Sequence, residues 1–158
     1  MDSTFHWNGN LNVPNALRGS HDEARAELVR ATMEDGPIAE AAHRVARICL
    51  PHFEKEEKSV FPILGLLPEL TQGILRPEMA EALPLISEFS LRHEKCLNTQ
   101  HQSMLAAIEE LLQAARREKN GEFVEFAYNM RAHEKIEDEV IYPMIMLIGN
   151  YLQEKLVH

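Results

Sequence analysis

Two stretches of the chain repeat one another: HFEKEEKSVFP at residues 52–62 and HEKIEDEVIYP at 133–143. They align without a gap. In each, a His is followed four residues later by Glu, then by a second acid, then by an aromatic-Pro pair: His52, Glu56, Glu57 and Phe61-Pro62, against His133, Glu137, Asp138 and Tyr142-Pro143. Four residues turn a helix by about 400°, so His and Glu project about 40° apart with their Cβ atoms about 6 Å from one another. Both side chains can then serve one site. Imidazole and carboxylate at this spacing are metal ligands by residue type, and two copies describe a pair of ions.

The face that carries these residues is also apolar. Val45, Ile48, Cys49, His52, Glu56 and Val60 share one stripe, as do Phe126, Met130, His133, Glu137 and Ile141. Two carboxylates would therefore point into a core. An unpaired buried carboxylate costs several kcal/mol, and a bound cation compensates it.

The elements that must hold such a site are four amphipathic helices. Leu17, His21, Ala24, Leu28 and Ala31 form the stripe of the first, opened by Pro14 or capped by Ser20-x-x-Glu23, and stopped near Asp35-Gly36-Pro37. The second is expected from Pro37 to about Leu67, bent at Pro51, and residues 68–80 read as a crossover. The third is expected from about Glu81 to Arg117, and the fourth follows the Lys119-Asn120-Gly121 turn. The fold class is all-α: an antiparallel up-down four-helix bundle over residues 14–150, with an N-terminal arm at 1–13 and a tail at 151–158. Phe5 and Trp7 on the arm could cover a bundle end or a partner subunit, leaving room for a homodimer.

Hairpin geometry locates the remaining donors. The midpoint of His52 and Glu56 lies about as far beyond the first turn as His21 lies before it. The midpoint of His133 and Glu137 likewise points back across the second turn to His101. His93 stands eight residues earlier, about 12 Å along the axis at 1.5 Å per residue, in another layer. His101 is preferred. The constellation is His21, His52, Glu56, His101, His133 and Glu137, a pseudo-twofold arrangement for two ions. Mixed nitrogen and oxygen donors suit iron, with manganese or zinc as alternatives. His43 faces the opposite side of its helix, and His6 and His158 lie in terminal segments. Tyr128 and Tyr142 could place a phenol near iron or serve only in packing, and Arg116-Arg117-Glu118-Lys119 reads as a solvated helix end.

One His, then HxxxE, then one His, then HxxxE, each paired motif closed by an aromatic-Pro, resembles the hemerythrin-like (HHE) cation-binding domain. The likeness covers about residues 14–150. It implies a non-haem di-iron centre bridged by an oxo or hydroxo group and by Glu56 and Glu137, with the four His as terminal ligands. It further implies binding or sensing of O₂, NO or peroxide, in oxygen or iron handling or oxidative-stress response. Two features depart from the oxygen carriers of that family. Carriers have a second His four residues after the first on helix three, where Leu105 follows His101 and Leu97 follows His93. They carry the helix-four acid five residues after its His, at the place of Asp138, whereas the internal repeat favours Glu137. Four His rather than five leave open or water-filled positions on the ions. An oxidase or peroxidase is the alternative reading, although ferritin-like oxidases order their motif Glu-x-x-His. A metal-free interaction bundle is the other.

Composition narrows the rest. The chain has 158 residues, 45% of them hydrophobic, one domain's worth that can bury a core without disulfides. Lys and Arg number 16 against 25 Asp and Glu, a net charge of −9 with no basic cluster, which argues against nucleic acid. The longest apolar run, Val140 to Ile148, falls well short of the roughly 20 residues of a membrane span. The N-terminus lacks the basic start and apolar run of a secretory signal, so a cytoplasmic chain is expected. Cys49 and Cys96 lie in apolar helical settings and are expected as buried thiols.

Overall fold

The computed structural model describes residues 13–93 and 98–157. Every regular element among them is helical: α1 (Asn15–Thr32), α2 (Gly36–Ser59), α3 (Phe61–Leu64), α4 (Leu67–Thr71), a 3₁₀ turn (Pro77–Ala82), α5 (Leu83–Arg92), α6 (Asn98–Arg117), α7 (Gly121–Ile136), a π turn (Glu137–Ile141) and α8 (Tyr142–Leu156). The four long helices close a ring: α1 packs on α2, α2 on α6, α6 on α7, and α7 returns to α1.

The ends follow from local chemistry. Pro14, not Ser20, opens α1, since Pro needs no N–H at a helix start. Gly36 takes a positive φ of 65° to turn the chain out of α1 and into α2. Asn120 caps α7 by accepting from the Phe123 N–H. Pro51 stays inside α2 on its exposed side, so only the hydrogen bond to the Arg47 carbonyl is lost.

Three expected boundaries are corrected. Helix two ends at Ser59 rather than near Leu67, because Pro62 cannot donate to the Lys58 carbonyl and its ring disfavours a helical turn there. Residues 68–80 are partly helical, since α4 and the 3₁₀ turn overlap them, and the expected start of the third helix at Glu81 falls in that 3₁₀ turn, with α5 following from Leu83. The chain beyond residue 150 is not a tail, because Leu152 is fully buried and carries α8 on to Leu156. The arm falls outside the described residues except for Val13, which is buried.

Two apolar cores result. One gathers Leu28, Val45, Phe53, Ile108, Leu111 and Phe123 from the ring of long helices. The other gathers Phe61, Ile63, Met79, Ile86, Tyr142 and Ile145 from the shorter elements and α8. His21 stacks on Phe53 of the first core at 4.1 Å and packs on Phe61 of the second at 5.0 Å. The histidines and carboxylates thus lie where the two cores meet.

Candidate metal centre

All six expected side chains come together. His21, His52, Glu56, His101 and Glu137 are buried, and His133 is partly so. The imidazoles meet in pairs between neighbouring helices of the ring, α1 with α7 and α2 with α6. His21 Nε2 lies 3.1 Å from His133 Nε2, and His52 Nε2 lies 3.3 Å from His101 Nε2. Donors bound about 2.0–2.2 Å from a common ion lie roughly 3–3.5 Å apart, so each pair has the spacing of neighbouring ligands.

The two carboxylates of the paired motifs span both imidazole pairs. Glu137 Oε1 is 2.5 Å from His133 Nε2 and 3.6 Å from His21 Nε2, while its Oε2 is 3.6 Å from His52 Nε2 and 3.9 Å from His101 Nε2. Glu56 does the same from α2, with Oε1 3.2 Å from His52 Nε2 and Oε2 3.5 Å from His21 Nε2. Each therefore offers one oxygen to each pair, which is the disposition of a bridging carboxylate.

A third buried carboxylate, Glu134, was missed by reasoning from the sequence. It is fully buried, with Oε2 3.5 Å from His101 Nε2. With His52, His101 and Glu137 it forms a group whose ligand atoms all lie within 4.8 Å of one another, and His21, His133 and Glu137 form a second such group. Glu134 precedes Glu137 by three residues, a same-face spacing that could have revealed it.

The electrostatics of this cluster are compatible with a bound cation. Glu56 Oε2 and both oxygens of Glu134 are buried with no hydrogen-bond partner. Burial and the neighbouring Glu137 charge raise the Glu134 carboxyl to about 9, and the same two causes raise Glu56. Burial would raise Glu137 as well, but the imidazoles of His133, His21 and His52 hold it well below the usual carboxylate range. Burial alone would lower His52, yet Glu137 and Glu56 hold it up at about 10. Protons thus balance charges that a metal ion could balance instead. Either of the two groups could hold one.

The second acid of each repeat does a different job. Glu57 accepts from His21 Nδ1 at 3.0 Å and is itself gripped by Arg25 through two bonds of 2.9 Å. Asp138 accepts from His101 Nδ1 at 2.7 Å. Within each hairpin, then, the first acid turns inward and the second orients the lone histidine of the preceding helix. With Nδ1–H committed to a carboxylate, Nε2 keeps its lone pair toward the site. Ser20, free of capping, lies 3.1 Å from His133 Nδ1.

The repeat's aromatic-Pro pair also has a local effect. Five residues on an ideal helix would carry Tyr142 about 140° away from Glu137. The π turn at Glu137–Ile141 bonds the Tyr142 N–H to the Glu137 carbonyl and brings both onto one side. In the first copy the interruption at Val60, between α2 and α3, returns Phe61 over His21.

His93 lies outside both groups and packs on Phe89 and Tyr142, with centroids 5.6 and 5.3 Å away. His43 and Tyr128 are exposed. His6, Cys96, Leu97 and His158 are outside the described residues. Cys49 is a free, fully buried thiol whose pKa burial pushes up. Among the described residues, no helix is long and apolar enough to cross a membrane. A narrow cavity of about 40 Å³ borders His52, Glu56, Phe89 and Tyr142. That is room for about three water molecules.

Comparison with protein-family models, with curated proteins and with solved structures finds no match to the chain.

Proposed function

We propose that the chain is a non-haem di-metal protein, with iron in both positions, that binds or senses a small oxidant such as O₂, NO or peroxide. On this reading α1, α2, α6 and α7 are the four helices of a hemerythrin-like bundle. His52, His101 and Glu134 are terminal ligands at one position, and His21 and His133 at the other. Glu56 and Glu137 would each offer one oxygen to either position.

The observation that carries the reading is the placement of Glu137, which offers one carboxylate oxygen to each imidazole pair from the centre of a buried cluster. Four nitrogens, three carboxylates and no thiolate favour iron over a structural zinc site, with manganese the nearest competitor. The cavity beside His52 has room for a diatomic molecule or peroxide. Two irons would supply electrons to such a ligand, and the protein residues would fix its position and exclude bulk water.

Full-length protein purified from iron-replete cells should carry about two irons per chain and show oxo-bridged ferric absorption. Because a metal that binds only the folded form adds RT ln(1 + [L]/Kd) to stability, stripping it should lower the melting temperature. Iron-free protein whose melting is indifferent to chelation would end the proposal.

A further inference from the structure

The aromatic that ends each repeat packs on a lone histidine. The Phe61 ring lies 5.0 Å from the His21 ring, and the Tyr142 ring stacks at 5.5 Å on that of His101. At this position the two halves of the site differ by one oxygen atom. Phe61 brings no polar group, whereas Tyr142 Oη is buried among the ligand atoms. It donates to Glu56 Oε1 and lies 3.2 Å from both Glu137 Oε2 and His101 Nε2.

A buried tyrosine hydroxyl is satisfied by a single partner. This one meets three, all of them atoms of the candidate centre. Its distances match those among the centre's own donors, 3.2 Å between His52 and Glu56 and 3.5 Å between His101 and Glu134. Tyr128 and Tyr151 are both exposed and cannot reach it.

We propose that Tyr142 is a further ligand at the His52/His101 position, its oxygen binding a ferric ion there as the phenolate in the place of Glu56 Oε1. The inference rests on the di-iron reading and adds a hard oxygen donor suited to a trivalent ion. On binding, the phenolic O–H bond breaks and an oxygen–iron bond forms, with no change of oxidation state. The proton passes to Glu56, which already accepts from the hydroxyl, and leaves through the cavity that His52, Glu56 and Tyr142 border.

The test uses full-length protein loaded with iron and oxidised with ferricyanide. The unaltered chain should show a phenolate-to-ferric charge-transfer band in the visible and phenolate modes in its resonance Raman spectrum. Y142F should retain its iron and lose both signals. Phe already occupies the matching place in the first repeat, so this variant is expected to fold. The Raman measurement on the unaltered chain is decisive without any variant. Ferric protein lacking phenolate modes, or a band that survives in Y142F, would overturn the assignment and leave Tyr142 a hydrogen-bond donor to Glu56. A chain that takes up no iron would overturn the di-iron reading as well, and the metal count separates the two failures.

Discussion

Asp138 accepts a 2.7 Å hydrogen bond from His101 Nδ1, one residue beyond the carboxylate that turns toward the imidazole pairs. Glu57 stands in the same relation to His21. If these acids orient ligands without binding metal, Asp138→Asn and Glu57→Gln should each weaken metal binding about ten- to a hundredfold while leaving the saturated metal count unchanged. Asp138→Glu should recover part of the loss. Competition titration against a chromogenic chelator measures both quantities. A variant that loses a whole equivalent of metal would instead make the second acid a ligand.

Glu134 should separate stability from binding. Both of its oxygens are buried without partners, a penalty of about 1–3 kcal/mol for a polar group in the metal-free chain. Glu134→Met removes that penalty at similar volume, so metal-free protein should gain about 1–3 kcal/mol in denaturant unfolding. The same variant should bind metal more weakly at the His52/His101 position. Destabilisation of the metal-free variant would assign Glu134 to a structural role.

The metal-free protein should also lose stability as pH rises above neutrality. His52 is held at about 10 in the folded chain against 6.5 ordinarily, so its contribution is complete below 6.5 and is lost as pH climbs through about 10. Glu134 is raised from 4.5 to about 9, so folded protein binds the extra proton between those values and stability again falls with rising pH. Both groups act in the same direction between about pH 6.5 and 9. Metal binding needs the deprotonated forms, so metal affinity should rise over that window. Thermal melts with and without chelator across this range check the sign, and parallel curves would refute it.

The helical class, the four stripes and the convergence of six site residues were legible because each rests on a period that short-range geometry enforces. His21 and His101 could be placed by counting from the turns. The interruptions were harder to read. Pro62 and Pro143 were visible as a repeated motif, but their effect differs between the copies: the first breaks the helix at Val60, and the second relaxes it into a π turn. That choice depends on what the following residues pack against, which no local pattern contains. Glu134 was overlooked because the repeat has Phe53 in its place, so searching for what the halves share concealed where they differ.

Two helical glycines offer a matched check of the packing. A Cβ on Gly19 in α1 meets nothing within 4 Å, so Gly19→Ala should stabilise by about 0.5–1 kcal/mol through helix propensity alone. A Cβ on Gly149 in α8 would fall 2.5 Å from Ile86 Cγ2, on a buried, β-branched side chain of α5 that has little freedom to withdraw. Overpacking there costs about 1–3 kcal/mol, against about 1 kcal/mol gained in propensity. Gly149→Ala should therefore come out neutral to about 2 kcal/mol destabilised. Urea unfolding of both variants side by side tests the contact between α5 and α8, and equal stabilisation of the two would show that these helices do not pack as closely as described.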